Sequence, residues 1–149
     1  MHMNTLTRDK IAENFTSKWA YRYDTELYGA SDAWVIIRKE NKEGKLVGDC
    51  EDYALSILWR LCGESDWKLW WMLLTRQAGI CLVGPTKWKT SHAVLRYKGA
   101  YIDNWTKKFG PKSQIEKNHT FHAFYGYGLF HMTVIKMLMS KIVRMFKGT

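Results

Sequence analysis

Gly48-Asp49-Cys50-Glu51-Asp52-Tyr53-Ala54-Leu55-Ser56-Ile57-Leu58-Trp59-Arg60-Leu61-Cys62-Gly63 is the stretch from which the fold is read. Ala54, Ile57, Leu58 and Leu61 recur at helical spacing as a buried stripe, and Gly63 stands where a left-handed stop belongs. Asp49 is a good N-cap, and Asp52 three residues on makes a shortened capping box. Cys50 therefore falls on the first turn of a mostly buried helix. There, unpaired backbone N–H groups and the helix dipole favour a thiolate. Gly48 would let backbone and substrate approach closely, and the same amides would stabilise an oxyanion. Asp49, Glu51 and Asp52 work against this, because negative charge beside a thiol raises its pKa. Helix amides, a basic neighbour or a bound cation must offset them. Carboxylates flanking a cysteine are hard oxygen donors of the kind calcium takes, although two residues do not make a cage.

Downstream, Ser91 to Tyr97 and Ala100 to Trp105 are β-rich runs joined by Lys98-Gly99, a hairpin signal. With Lys98 and Gly99 as the two turn residues, Val94 pairs with Asp103 and His92 with Trp105. His92 and Asp103 then share one face as diagonal neighbours, roughly 7–8 Å apart at the backbone. A carboxylate there holds the imidazole in one tautomer and stabilises its protonated form. A register slip of one residue would put the two on opposite faces.

Elsewhere the pattern is coarser. Ile11, Phe15 and Trp19, with Ala12 and Tyr23 near the same stripe, predict a helix from about Thr7 to Tyr23, capped by Thr7. Gly29 to Gly48 reads as irregular, with Arg38 to Lys45 a loop. Trp67 to Leu74 and Gly79 to Val83 read as strands, and Gly110 to His119 as loop. From Leu129 to Lys147 a last helix sets Lys136, Ser140, Arg144 and Lys147 on one face. Ile135, Leu138, Met139, Ile142, Val143 and Phe146 fill the other. Packing of that apolar stripe on the core is the expected fate, with contact at an anionic membrane surface as the alternative. His131, Lys136 and Lys141 interrupt the segment too often for it to span a bilayer.

One domain of 149 residues is expected, since 46% hydrophobic residues suffice for a proper core. The formal net charge of +9 favours acidic partners without deciding the fold. Lys87-Trp88-Lys89 and Trp105-Thr106-Lys107-Lys108-Phe109 interleave aromatics with cations. They read as loops with snorkelling lysines that could select an acidic substrate, and nucleic acid is not the expected partner. Cys50, Cys62 and Cys81 are an odd set without a C-x-x-C pair, which points to free thiols in a reducing compartment. Asn4, Thr5, Arg8, Asp9 and Lys10 stand where a secretion signal would be apolar, so a cytoplasmic protein is expected. Cys62, Cys81, His119, His122 and His131 lack the paired spacings of a zinc site.

Asp32-x-Trp34, Gly48-Asp49-Cys50-Glu51-Asp52-Tyr53-Ala54, His92-Ala93-Val94-Leu95 and Ile102-Asp103-Asn104 together resemble the bacterial transglutaminase-like cysteine peptidases. That family includes the periplasmic protease that releases biofilm adhesins. The resemblance covers about residues 30 to 105. It implies an α+β, papain-like core in which a cysteine-bearing helix packs on an antiparallel sheet, here with extra N- and C-terminal helices. It also implies Cys50 as nucleophile, His92 as base and Asp103 as orienting acid. In the adhesin-releasing members the acids beside the cysteine bind calcium, which would fall on Asp49 and Glu51. A compact, signal-less chain of this kind suggests a phage or mobile-element protein acting inside a bacterial cell.

The activity expected is attack on an amide or isopeptide carbonyl of a protein or peptide, through a thioester. No cofactor is required, and calcium is the one ion considered. Water as acceptor makes a peptidase or amidase, an amine makes a transglutaminase, and the resemblance favours water. The reading from a different class is a basic binding or inhibitory module that keeps the fold without turnover.

Overall fold

A computed structural model describes residues 4–22 and 33–147. Tyr23, Gly29 and Asp32, used in the sequence reading, lie outside the described residues. Helix α1 (Thr5–Ser17) leads into β1 (Trp19–Tyr21), and β2 (Leu46–Gly48) into the cysteine-bearing α2 (Cys50–Leu61). Helix α3 (Asp66–Leu74) precedes strands β3 (Ala78–Gly84), β4 (His92–Tyr97) and β5 (Ala100–Ile102). A short α4 (Lys112–Glu116), β6 (Thr120–Phe121), a 3-10 turn (Tyr125–Tyr127) and α5 (Phe130–Lys147) complete the order. The fold class is α+β. One sheet is antiparallel in the order β5-β4-β3-β6, and β1 and β2 form a separate parallel pair.

Helix α2 is the centre of the core. Tyr53, Ala54, Leu55, Ile57 and Leu58 have no exposed surface, and they join Ile80, Leu82, Ala93 and Leu95 of the sheet in one cluster. At its N-terminus the capping box is complete. Asp49 Oδ1 accepts the Asp52 N–H at 3.3 Å, and Asp52 Oδ2 accepts the Asp49 N–H at 3.4 Å. At its C-terminus Gly63 adopts φ +68°, its N–H bonds Arg60 O, and the Glu64 N–H bonds Trp59 O. This is the Schellman ending that Gly63 predicts.

Other elements depart from the sequence reading for identifiable reasons. Helix α1 is capped by Asn4, whose Oδ1 accepts the Thr7 N–H at 2.7 Å, and it ends at Ser17. Trp19 to Tyr21 leaves the helical stripe because it pairs with Leu46 to Gly48, while the Trp19 ring still packs on Phe15 and Tyr53. The run Trp67 to Leu74 is helical, not extended. Ser65 caps it through the Lys68 N–H, and Leu69 and Leu73, four apart, are the two positions fully buried. Aromatic richness suggested a strand there; the period of the burial decides for a helix. Within Gly110 to His119, read as loop, α4 forms and buries Ile115.

The C-terminal helix reverses its expected orientation. Thr133 and Ser140 are its buried positions together with Met132, whereas Ile135, Leu138, Met139, Ile142, Met145 and Phe146 are each more than half exposed. Ser140 turns that face inward because its hydroxyl has a hydrogen bond to make. Ser140 Oγ accepts the Trp34 N–H at 2.6 Å. The extended segment 33–38 is thereby held from both sides, since Val35 N–H bonds Asp52 Oδ1 at 2.8 Å and Ile37 N–H bonds Ser56 Oγ at 2.7 Å on α2. Two residues of extended chain advance about 6.6 Å and four residues of helix about 6 Å, so the i, i+2 amides match the i, i+4 acceptors. Among the described residues no helix is long and apolar enough to cross a membrane.

Candidate active site

Hairpin geometry sets the first pair of side chains. Lys98 and Gly99 take φ +47° and +84°, the two positive angles of a type I′ turn, and Tyr97 pairs with Ala100 and Leu95 with Ile102. This is the register expected from the turn residues. The ladder stops at Ile102 because Asp103 Oδ1 captures the next amides, Trp105 N–H at 3.2 Å and Thr106 N–H at 2.7 Å. The other oxygen, Oδ2, lies 2.7 Å from His92 Nε2, and both side chains are buried. Burial alone would raise the Asp103 carboxyl, but the hydrogen bonds from His92 and the Thr106 amide outweigh it and hold the group below the ordinary carboxylate range. With Nε2 on Asp103, Nδ1 is the ring nitrogen left for proton transfer.

Cys50 opens α2 against the strand that carries His92. The Ala93 backbone amide lies where it favours a thiolate on Cys50. The thiol proton goes elsewhere: Sγ donates to Glu51 Oε2 at 3.2 Å, and no hydrogen bond joins it to His92 among the described residues. Burial first, then the Glu51 and Asp49 charges, push the thiol well up, and the Ala93 amide only partly opposes them. The resting species is the neutral thiol. Cys62 and Cys81 are also raised by burial, each to about 11, so helix placement has not made Cys50 the most acidic of the three.

The acids around the thiol have separate tasks. The Asp49 carboxylate caps the Asp52 amide, and Glu51 holds the thiol proton. No group of three or more His, Cys, Asp or Glu side chains among the described residues is arranged to hold a metal. Asp49 and Glu51, the two carboxylates on which the resemblance would place calcium, are the ones that make the contacts to the Asp52 amide and the Cys50 thiol.

Gly48 also has a different role from the one expected. A Cβ on it would lie 2.7 Å from Asp52 Cβ and Oδ2 and 2.9 Å from Trp19 Cη2. The missing side chain makes room for the helix start inside the protein, not for a substrate. Gly48→Ala should cost about 1–3 kcal/mol through this overlap. That is a fall in Tm of roughly 3–10 °C, measured by thermal unfolding against wild type.

Three further side chains border the site, and of these the hairpin register predicts only Trp105, set opposite His92. The His119 ring stacks on His92 with centroids 4.9 Å apart and planes at 20°. Trp105 touches both rings, at 5.3 Å from His92 and 4.8 Å from His119, and its own outer surface is exposed. Burial first, then the proximity of His92, lower the His119 pKa, with Asp103 opposing. His119 reaches this position from the turn after α4, where its N–H bonds Ile115 O. Lys136 of α5 is the third. It lines a cleft of about 240 Å³ with Trp34, Glu51, Leu82, Ser91 and His92. The cleft is wide enough for a side chain or a short extended segment.

No protein-family model matches the chain, and no curated protein matches it.

Proposed function

We propose that the chain is a cysteine-dependent hydrolase of amide or isopeptide bonds, with a papain-like or transglutaminase-like arrangement of Cys50, His92 and Asp103. The observation that carries this is the buried hydrogen bond of His92 to Asp103, with the Ala93 amide beside His92 placed to favour a thiolate on Cys50. A helix bearing a cysteine at its first turn, packed on an antiparallel sheet bearing the histidine and the acid, supports the same reading.

In this mechanism Sγ attacks the carbonyl carbon and its proton passes to His92. The oxyanion faces the Cys50 and Glu51 amides at the start of α2, which have no intrahelical carbonyl to bond, the Asp52 amide being taken by Asp49. His92 then gives the proton to the leaving nitrogen as the C–N bond breaks. Water, deprotonated by His92, opens the thioester and frees the acid. An amine in place of water would make the step a transglutamination. Because Glu51 holds the thiol proton at rest, Sγ–H must turn from Glu51 to His92 before attack.

The resting hydrogen bond from the Cys50 thiol to Glu51 favours a second reading, a basic binding or inhibitory module of the same fold. One experiment separates the two. A bare thiol reacts as its thiolate, and burial raises Cys50 as it raises Cys62 and Cys81, so without help from His92 it has no advantage over them. Acetylation by p-nitrophenyl acetate at neutral pH, mapped by mass spectrometry, should instead fall on Cys50 at least about tenfold faster than on the others and should be lost in His92→Ala. Cys50 no faster than Cys62 and Cys81 defeats the enzyme reading. Adding a primary amine and finding it on the released acetyl group would change the acceptor from water.

A further inference from the structure

Helix α5 exposes the wrong face for a helix that only packs on its own domain. Ile135, Leu138, Met139, Ile142, Met145 and Phe146 recur at spacings of three and four, so they form one stripe, and every one is more than half exposed. Its opposite face is already engaged by Ser140 on the Trp34 amide and by the buried Thr133. The stripe therefore cannot rotate inward without breaking those contacts. Helix α3 adds Trp67, Trp71 and Leu74, also exposed at spacings of four and three. The two helices are neighbours: Trp70 meets Phe130 edge-on at 6.1 Å, and Trp70, Leu138 and Lys141 line one groove.

We propose that this surface seats the protein on an anionic lipid bilayer, with α5 lying in the plane of the membrane. Charge decides between a bilayer and a second copy of the chain. Two copies would bring together formal charges of +9 each, whereas an anionic surface gains from that charge. Lys141 is exposed beside Leu138 and Ile142, and Lys68 is exposed between Trp67 and Trp71. Cations bordering an apolar stripe, with exposed tryptophans on the neighbouring helix, are the composition that interfacial helices use. No described helix is apolar enough to cross, so the contact is with the surface.

The test is co-sedimentation of the full chain with vesicles of phosphatidylcholine alone and of phosphatidylcholine with phosphatidylglycerol. Binding should be at least about tenfold tighter to the anionic vesicles and should weaken as salt is raised. Leu138→Asp with Ile142→Asp should lower it a further tenfold or so, and Trp67→Ala with Trp71→Ala should lower it severalfold. All four side chains are exposed, so thermal unfolding should match wild type and separates loss of binding from loss of fold. Equal sedimentation of wild type and variants, or none with anionic vesicles, overturns the proposal. So does a wild-type dimer in sedimentation equilibrium that Ile142→Asp disperses, since that assigns the stripe to a second copy. None of these outcomes depends on whether Cys50 is catalytic.

Discussion

Asp103→Asn should slow acetylation of Cys50 by p-nitrophenyl acetate about 10²–10⁴-fold while lowering stability by only about 1–2 kcal/mol. The asymmetry comes from what each carboxylate oxygen does. Oδ1 accepts the Trp105 and Thr106 amides, and an Asn oxygen can take its place, which keeps the turn. Oδ2 accepts from His92 Nε2, and the Asn NH₂ would instead offer that nitrogen a proton. His92 must then carry its proton on Nδ1, the nitrogen that has to receive one from Cys50. A fall in rate with Tm nearly constant reports the tautomer; equal falls in rate and stability would show Asp103 to be structural alone. Because the Asp103 pKa is lower folded than unfolded, its contribution to stability is present above the ordinary carboxylate value and is lost as pH falls through the folded one. Asp103→Asn should therefore flatten the acid limb of the stability profile as well.

The His92–Asp103 pair was legible because everything needed to place it is local. Two positive-φ residues, Lys98 and Gly99, fix the turn, the turn fixes the register, and the register fixes the face. The cysteine helix was legible for the same reason, since Asp49, Asp52 and Gly63 carry both of its ends within a few residues. His119 was not, because its stack on His92 depends on how α4 and the following turn return across the sheet. Helix α5 misled in a more instructive way. A hydropathy stripe tells that a helix has two faces, and only the convention that apolar means inside tells which one packs. Here Ser140 packs, because the amide of Trp34 needs an acceptor on that side, and Thr133, two turns earlier on the same face, is buried with it. Gly48 misled for another reason: a glycine tells that something comes close, and here it is the Asp52 carboxylate and the Trp19 ring.

Asp52→Ala should be the most destabilising single change at the head of the cysteine helix, by about 2–4 kcal/mol, with Tm lower by roughly 6–15 °C. Spacing alone casts Asp52 as a third acid opposing the thiolate. It is fully buried, and its two oxygens serve two different backbones: Oδ2 the Asp49 amide of the capping box, Oδ1 the Val35 amide of the segment 33–38. Alanine removes the cap contact, worth about 1 kcal/mol, and leaves the Val35 N–H short of an acceptor, at about 1–3 kcal/mol. Ser56→Ala one turn along, which loses only the Ile37 contact, should cost about 1 kcal/mol and calibrates the comparison. Trp34 sits on the segment that these two side chains hold, and it forms a wall of the cleft beside Glu51 and His92. Loosening the segment should therefore reduce Cys50 acetylation even at a temperature where Asp52→Ala is fully folded. Asp52→Asn keeps an acceptor for Val35 and should recover most of the stability and the rate together. If it recovers neither, the negative charge of Asp52 matters in itself, and its role is electrostatic and not that of a clamp.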